Sequence, residues 1–440
     1  MNSNYSSYIE MQSGLTARSE SSFTLIPETA LTVEGIIQRL KQQTLLEGNI
    51  SYQTLSDSEI SVALTEQGQV FQYHITVMPS RSLGAFEYLP RLCRIDTDVQ
   101  QKASESRQHV SVSSTWLDDP FLSWHLQMCL NAIVVPDLLL GQDDTAGAKL
   151  FTREWLCFQI QTFAAPPLST FYCLQAVDEE NEYWVHTHGL RRLGLPEFEI
   201  TVPRSDEGLS WAEGVISTCV DMYLEDGKAL FYEPLPVART AHGDVWVSGL
   251  PWEQALEFVD STKYLEHVSS MTMLSDTQLR ALKCHSEDRD EWHSGPSVCI
   301  FHLVGKRGRL EKLPALSLLA EQPTYYKSAR SSIREAETAR LRWPYFQHLF
   351  EQRTHHQPWS FMVKAAIPYA DDQNENMWFI PEEINADTFD AILINKPIYV
   401  QNMSENNRYT LSIEQINDWS IGTQNGSITA NNVYQLISVS

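Results

Sequence analysis

Positive charge is scarce in this chain: 32 Lys and Arg stand against 56 Asp and Glu in 440 residues, a formal net charge of -24. Such a field repels phosphate backbones and anionic lipid, so it weighs against DNA, RNA and membrane partners and favours cations or a basic protein. Long apolar runs are missing as well. The most hydrophobic stretch, Leu130 to Leu140, is interrupted by Asn131, Pro136 and Asp137, and nothing approaches the roughly 18 to 20 apolar residues that span a bilayer. The opening Met1-Asn-Ser-Asn-Tyr5 has no basic stretch followed by an apolar one, so no secretory signal is expected. Cysteine is sparse and unpatterned, seven in all at 93, 129, 157, 173, 219, 284 and 299, with no Cys-x-x-Cys. An odd, scattered set implies reduced thiols, no disulfide framework and a cytoplasmic location.

The motifs of the common enzyme classes are also lacking. There is no Gly-x-Ser-x-Gly elbow, no phosphate-binding Gly-x-x-x-x-Gly-Lys, no dinucleotide Gly-x-Gly-x-x-Gly and no His-Glu-x-x-His. Ordinary hydrolase, nucleotide and dehydrogenase chemistry is therefore without support, and no cofactor is implied. What is present is the composition of a soluble globular protein, 42% hydrophobic and 20% charged. The length suits about three domains.

Periodicity predicts an α+β protein of three units: two domains of helices on antiparallel sheets, and a small C-terminal β-rich module resembling a half-barrel. The first domain, 1–105, has a strand at Phe23-Thr-Leu-Ile-Pro27, helical spacing at Val33, Ile36, Ile37 and Leu40, and alternating strands at Glu59–Leu64 and Val70–Met78. Polar residues 101–114 read as a linker. A central domain over 115–308 starts at Asp118-Asp119-Pro120, acceptor side chains beside a first-turn proline, which marks a helix start. Strands follow at Phe171–Ala176, Tyr183–His188 and Glu197–Val202, then a helix at Trp211–Leu224 and strands at Asp244–Ser248 and Ser297–Val304. Residues 309–357 read as a basic helical connector, with Arg330, Arg334, Arg340, Arg342 and Arg353 among its cations and a hinge expected near 354–358. The module spans 358–440.

One constellation could carry chemistry. In Tyr183-Trp-Val-His186-Thr-His188-Gly-Leu-Arg-Arg-Leu-Gly-Leu-Pro196-Glu197-Phe-Glu199, residues two apart on a strand share a face, so His186 and His188 present two imidazoles together and Glu197 and Glu199 two carboxylates. Two His and two Glu converging across a short loop could hold a divalent metal or work as an acid–base set. The same pattern also suits a purely structural role, because Gly189, Gly194 and Pro196 ask for unusual backbone and the side chains could bond loop groups. A third metal ligand is not evident. Cys284, His285, Asp288, Asp290 and His293 have ligand types without ligand spacing, and His355-His356 sits in the polar hinge.

The last eighty residues carry four ordered blocks: Phe361-Met-Val-Lys-Ala365, Met377-Trp378, Leu393-Ile-Asn395 before Pro397, and Ile416-Asn-Asp418-Trp419. They resemble the small C-terminal module of the YegJ-like family, bacterial proteins with no established activity. Where that family has Glu-His before Met-Trp, this chain has Glu375-Asn376. The His-Thr-His-Gly-Leu and Gly-Leu-Pro-Glu spellings resemble larger bacterial proteins carrying that tail, and faintly the Suppressor-of-fused-like domains of toxin-immunity proteins. Read from the residues alone, the module is a run of short strands in which Trp378 and Trp419 serve as core anchors, with Asn395 and Asp418 at turns. Ala391–Ile394 is a continuous apolar run expected to be buried on both faces.

Two functions follow. The first is a non-catalytic interaction protein, an immunity or adaptor protein covering a basic protein partner. The second is a metal-dependent enzyme centred on His186, His188, Glu197 and Glu199.

Overall fold

The computed structural model describes residues 18–79, 86–178, 181–226, 234–255, 293, 296–304, 309–311, 313–321, 323–353, 359–371 and 373–437. It is an α+β protein with three sheets. Among the described residues no helix is long and apolar enough to cross a membrane, and all six described cysteines are free.

The first sheet comprises β1 (Glu20–Pro27), β2 (Asn49–Ser56), β3 (Glu59–Glu66), β4 (Gln69–Pro79), β5 (Gln108–Thr115), β6 (Leu138–Asp143) and β7 (Lys149–Phe151), ordered β2-β3-β4-β5-β1-β6-β7. Alternation drives it: Ile60, Val62 and Leu64 on β3 and Phe71, Tyr73 and Ile75 on β4 are buried, while the residues between them are more exposed. The β3–β4 turn places Gln67 and Gly68 at φ 50 and 79, the paired left-handed conformation that a two-residue hairpin needs. Asp119 accepts from the backbone N–H of Phe121 and Leu122 and starts the helix Pro120–Val134, as the sequence signal predicts.

Residues 108–115 are no linker. They form β5, which lies between β4 and β1 and buries Val110, Val112 and Ser114. Serine alternating with valine hid this strand, since small polar residues weaken the apolar signal without breaking the two-residue period. The helix Pro120–Val134 and strands β6 and β7 follow it, so the first sheet runs across the boundaries read at 105 and 115.

The second sheet contains β8 (Cys173–Asp178), β9 (Glu182–His188), β10 (Glu197–Pro203), β11 (Leu235–Thr240), β12 (Gly243–Pro251), β13 (Ser297–Val304), β14 (Arg309–Glu311) and β15 (Thr324–Tyr325). Its order is β15-β11-β12-β13-β10-β9-β8, with β14 paired to β13. All its pairings are antiparallel except β10 with β13, whose register sets Glu197 beside Ser297 and Glu199 beside Cys299. The helix Asp206–Asp226 packs on β9, β10 and β11 and buries Trp211, Val215, Ile216, Cys219 and Val220.

The third sheet has β16 (Ser360–Ala370), β17 (Gln373–Ile384), β18 (Thr388–Leu393), β19 (Arg408–Ser412), β20 (Ile416–Thr423) and β21 (Gly426–Thr429), ordered β19-β18-β17-β16-β20-β21. Its core joins Val363, Phe379, Leu393, Trp419 and Ile421 to Trp343, Phe346 and Phe350 from the helices Ala329–Leu341 and Trp343–Glu351. Trp419 is fully buried and its indole N–H donates to the carbonyl of Ala339 at 2.9 Å. Trp378 is not a core anchor. It stands half-buried on the opposite side of β17 from Met377 and Phe379, with the Lys364 ammonium 5.9 Å from its ring. Asn395 accepts from the Trp378 backbone N–H at 2.6 Å, and Asp418 from that of Trp419 at 2.8 Å. The apolar run on β18 is buried on one face only, at Phe389, Ala391 and Leu393.

By contact density the chain forms two compact units, Met1–Arg153 with Leu168–Ser328, and Glu154–Pro167 with Ala329–Ser440. The segment read as a basic connector is therefore divided: β14 and β15 belong to the second sheet, and the helices Ala329–Leu341 and Trp343–Glu351 contribute to the C-terminal core. Two of its cations bond neutral groups there: Arg340 the Ile416 carbonyl, and the fully buried Arg342 the Ala430 carbonyl, Asn431 and Gln159. Phe158, from the inserted helix Arg153–Gln161, lies 4.2 Å beneath that guanidinium. The expected hinge at 354–358, with His355 and His356, lies outside the described residues.

Candidate metal centre in the central sheet

Strand β9 places Trp184, His186 and His188 on one face, because side chains alternate along a strand. The two imidazoles meet with ring centroids 4.9 Å apart and an interplanar angle of 83°. A third imidazole joins them. The Nε2 of His293 lies 3.1 Å from the Nε2 of His186, and its ring is 5.3 Å from that of His188. One nitrogen from each of His186, His188 and His293 falls within 4.8 Å of the others. His186 is 2% exposed, and the other two are half-buried.

The spacing is compatible with a bound cation as well as with a hydrogen bond between His186 and His293. Zinc–imidazole bonds of about 2.0–2.1 Å in a tetrahedron put the ligand nitrogens roughly 3.3 Å apart, close to the 3.1 Å seen for His186 and His293. His188 Nε2 lies 3.2 Å from Oε1 of Gln175, so the ring is oriented by a neighbour on β8. His186 stacks at 4.5 Å and 32° on Trp184.

The two glutamates take separate tasks. Glu199, directly opposite His186 in register, accepts from the Trp184 indole N–H at 3.1 Å and from the Ser297 hydroxyl, with the Cys299 thiol at 3.8 Å. It thereby holds the indole on which His186 rests. Glu197 accepts from the Thr187 hydroxyl at 2.6 Å and the backbone N–H of Gly189, Leu190 and Arg191 at 3.0, 3.4 and 3.3 Å. Those bonds favour the anion, yet burial is the larger influence and pushes the Glu197 carboxyl above the usual carboxylate range.

The turn that Glu197 caps, Leu190–Leu193, is bracketed by Gly189 at φ 114 and Gly194 at φ 80. A side chain at Gly189 would be strained in that conformation and would meet the Phe171 carbonyl at 2.5 Å, so glycine is required. Consecutive arginines leave this turn for different surroundings. Arg192, fully buried, grips both oxygens of Asp143 at 2.9 and 2.8 Å, the Ser21 hydroxyl at 3.2 Å and the Phe171 carbonyl at 2.7 Å, above the Trp116 ring. Arg191 lines a small cavity with the three histidines, Thr187, Glu197, Glu199 and Ser297.

Of the residues singled out from sequence, His186, His188 and Glu199 come together and Glu197 lies on the cavity wall. His293 was visible only as one member of the Cys284–His293 group, whose other members lie outside the described residues. Ser297, Arg191 and Arg192 carried no signal, since single polar residues on a strand or turn have no periodicity to mark them.

Fold and pocket together define a three-sheet α+β protein whose central sheet bears a cluster of imidazoles. Residues 21–167 match the family described as "Protein of unknown function (DUF4026) N-terminal", and residues 173–301 match its C-terminal counterpart. Residues 332–438 match "Uncharacterized protein conserved in bacteria (DUF2314)". The chain thus carries both DUF4026 domains followed by a DUF2314 domain, and the histidine pocket lies in the DUF4026 C-terminal domain. No curated protein and no solved structure matches it significantly.

Proposed function

We propose that the protein is a metal-dependent enzyme whose divalent ion is held by His186, His188 and His293. The observation that carries this reading is the third imidazole, which brings the set to three neutral nitrogen donors around one point. Among the described residues the donor set is three histidines, the catalytic zinc pattern that leaves a fourth position for water or substrate, whereas structural sites use four protein ligands. Imidazole donors suit zinc, with nickel, copper and iron as competitors. Glu199 acts here as a positioning residue through Trp184. Elemental analysis of protein purified without chelator should find about one divalent ion per chain, lost in His186→Ala and in His293→Ala. A wild-type protein that binds no divalent ion even after zinc loading overturns the proposal.

A second reading is favoured by the net charge of -24: a cytoplasmic immunity or adaptor protein that binds a basic protein partner through an acidic surface. The resemblance of the C-terminal blocks to the YegJ-like family and of the His-Thr-His stretch to Suppressor-of-fused-like domains belongs to this reading. Capture from the native cell of a cationic partner that binds metal-free His186→Ala as tightly as wild type would favour it over the first.

A further inference from the structure

The wall beside the three histidines contains a cation that no described residue answers. Among the described residues the side chain of Arg191 makes no hydrogen bond or ion pair, and its Nε is buried without a partner. A buried N–H without an acceptor is costly, and guanidinium offers five such donors in a planar fork matched to two oxygens. The carboxylates on the same wall are already engaged. Glu197 accepts three backbone N–H groups and a hydroxyl, and Glu199 accepts from an indole and a serine. Neighbouring Arg192 shares the unpartnered Nε but differs at its two terminal nitrogens, which bond Asp143, Ser21 and Phe171.

We infer that the pocket takes a small oxyanion, a carboxylate or phosphate group, with one oxygen on the histidine-bound metal and another on the Arg191 guanidinium. The inference rests on the metal reading above. The cavity is about 50 Å³. At the roughly 10–15 Å³ that one water position requires, this is room for about three to five waters, enough for an ion and one small anionic group. The charge balance of the described wall agrees: a divalent ion and one guanidinium against two engaged carboxylates leave it net positive. The side chain of the substrate beyond its anionic group would have to reach in from outside the cavity.

The test uses the full-length protein loaded with cobalt(II), whose visible absorption reports the coordination sphere. Inorganic phosphate and acetate are titrated separately, with chloride as control. At least one of the two oxyanions should shift the cobalt bands saturably, and whichever binds tighter assigns the class. Arg191→Gln should weaken that binding about tenfold or more while keeping one cobalt per chain, and Arg191→Lys should fall between. No cobalt band in the wild-type protein removes the metal reading and this inference together. A cobalt band indifferent to both oxyanions, or an oxyanion affinity equal in wild type and Arg191→Gln, overturns this inference alone.

Discussion

His302 sits on β13 wholly inside the protein, with neither ring nitrogen bonded, and burial pushes its imidazole down to about 4 from an ordinary 6.5. Between those values the unfolded chain takes up a proton that the folded chain refuses. Its contribution therefore lowers stability as pH falls from 6.5 towards 4, and that loss is absent above 6.5. His302→Leu should flatten the acid side of the stability curve, by up to about 3 kcal/mol at pH 4. Urea unfolding of both proteins at several pH values checks it, and parallel curves would refute it. The two tryptophans of the C-terminal unit make a matched pair of probes. Trp419→Ala should cost about 3–5 kcal/mol, because it empties the core and removes the bond to Ala339. Trp378→Ala, on the open face, should cost about 1 kcal/mol or less. Equal melting losses would mean that Trp378 is a second anchor after all.

Among the elements, the short turn Leu190–Leu193 connects the most chemistry. Its N-terminal N–H groups bind Glu197, its first arginine faces the histidine pocket and its second grips Asp143 at the end of β6. An ion pair of 0% and 1% side-chain exposure is a poor source of net stability, but breaking one half strands a buried charge. Arg192→Met and Asp143→Leu should each cost about 3–5 kcal/mol, whereas the two together should cost clearly less than their sum. Denaturant titration of the three variants decides it, and strict additivity would show that the two side chains are not coupled. This pair also explains why the turn belongs to the fold as much as to the pocket: it ties β6 of the first sheet to the loop between β9 and β10.

At the scale of the whole molecule, the C-terminal unit is larger than its sheet. Trp343, Phe346, Phe350 and Phe158 complete the core around Trp419. A fragment of residues 359–440 should therefore fail to fold cooperatively, while 329–440 should gain secondary and tertiary signal and be stabilised further by a peptide of residues 154–167. A sharp melting transition of 359–440 alone would contradict this. For the interaction reading, the net charge predicts that association with a basic partner slows several-fold between about 20 mM and about 150 mM salt, mainly through the on-rate. An association rate indifferent to salt would leave the acidity as a solubility device.

Much of this architecture was legible in the residues because it rests on local rules. Alternation marked β3 and β4, and β9, β10 and β13 were also legible as strands. Asp119 with Pro120 marked a helix start. The two-residue period put His186 and His188 on one face. Other features depend on contacts between distant residues, which leave no trace in a local window. β5 looked like a linker because only its place between β4 and β1 makes Val110, Val112 and Ser114 interior, and β2 is so exposed that no apolar period announces it. Trp378 and Trp419 look alike in sequence, and only the packing of the helices on one face of the sheet decides which is covered. His293 is more than a hundred residues from His186, so the third imidazole had to await the tertiary structure. The chain determined by itself which side chains could do chemistry and which faces they share. Folding decided which of them meet, because metal geometry and buried charge depend on distances across elements that sequence spacing does not encode.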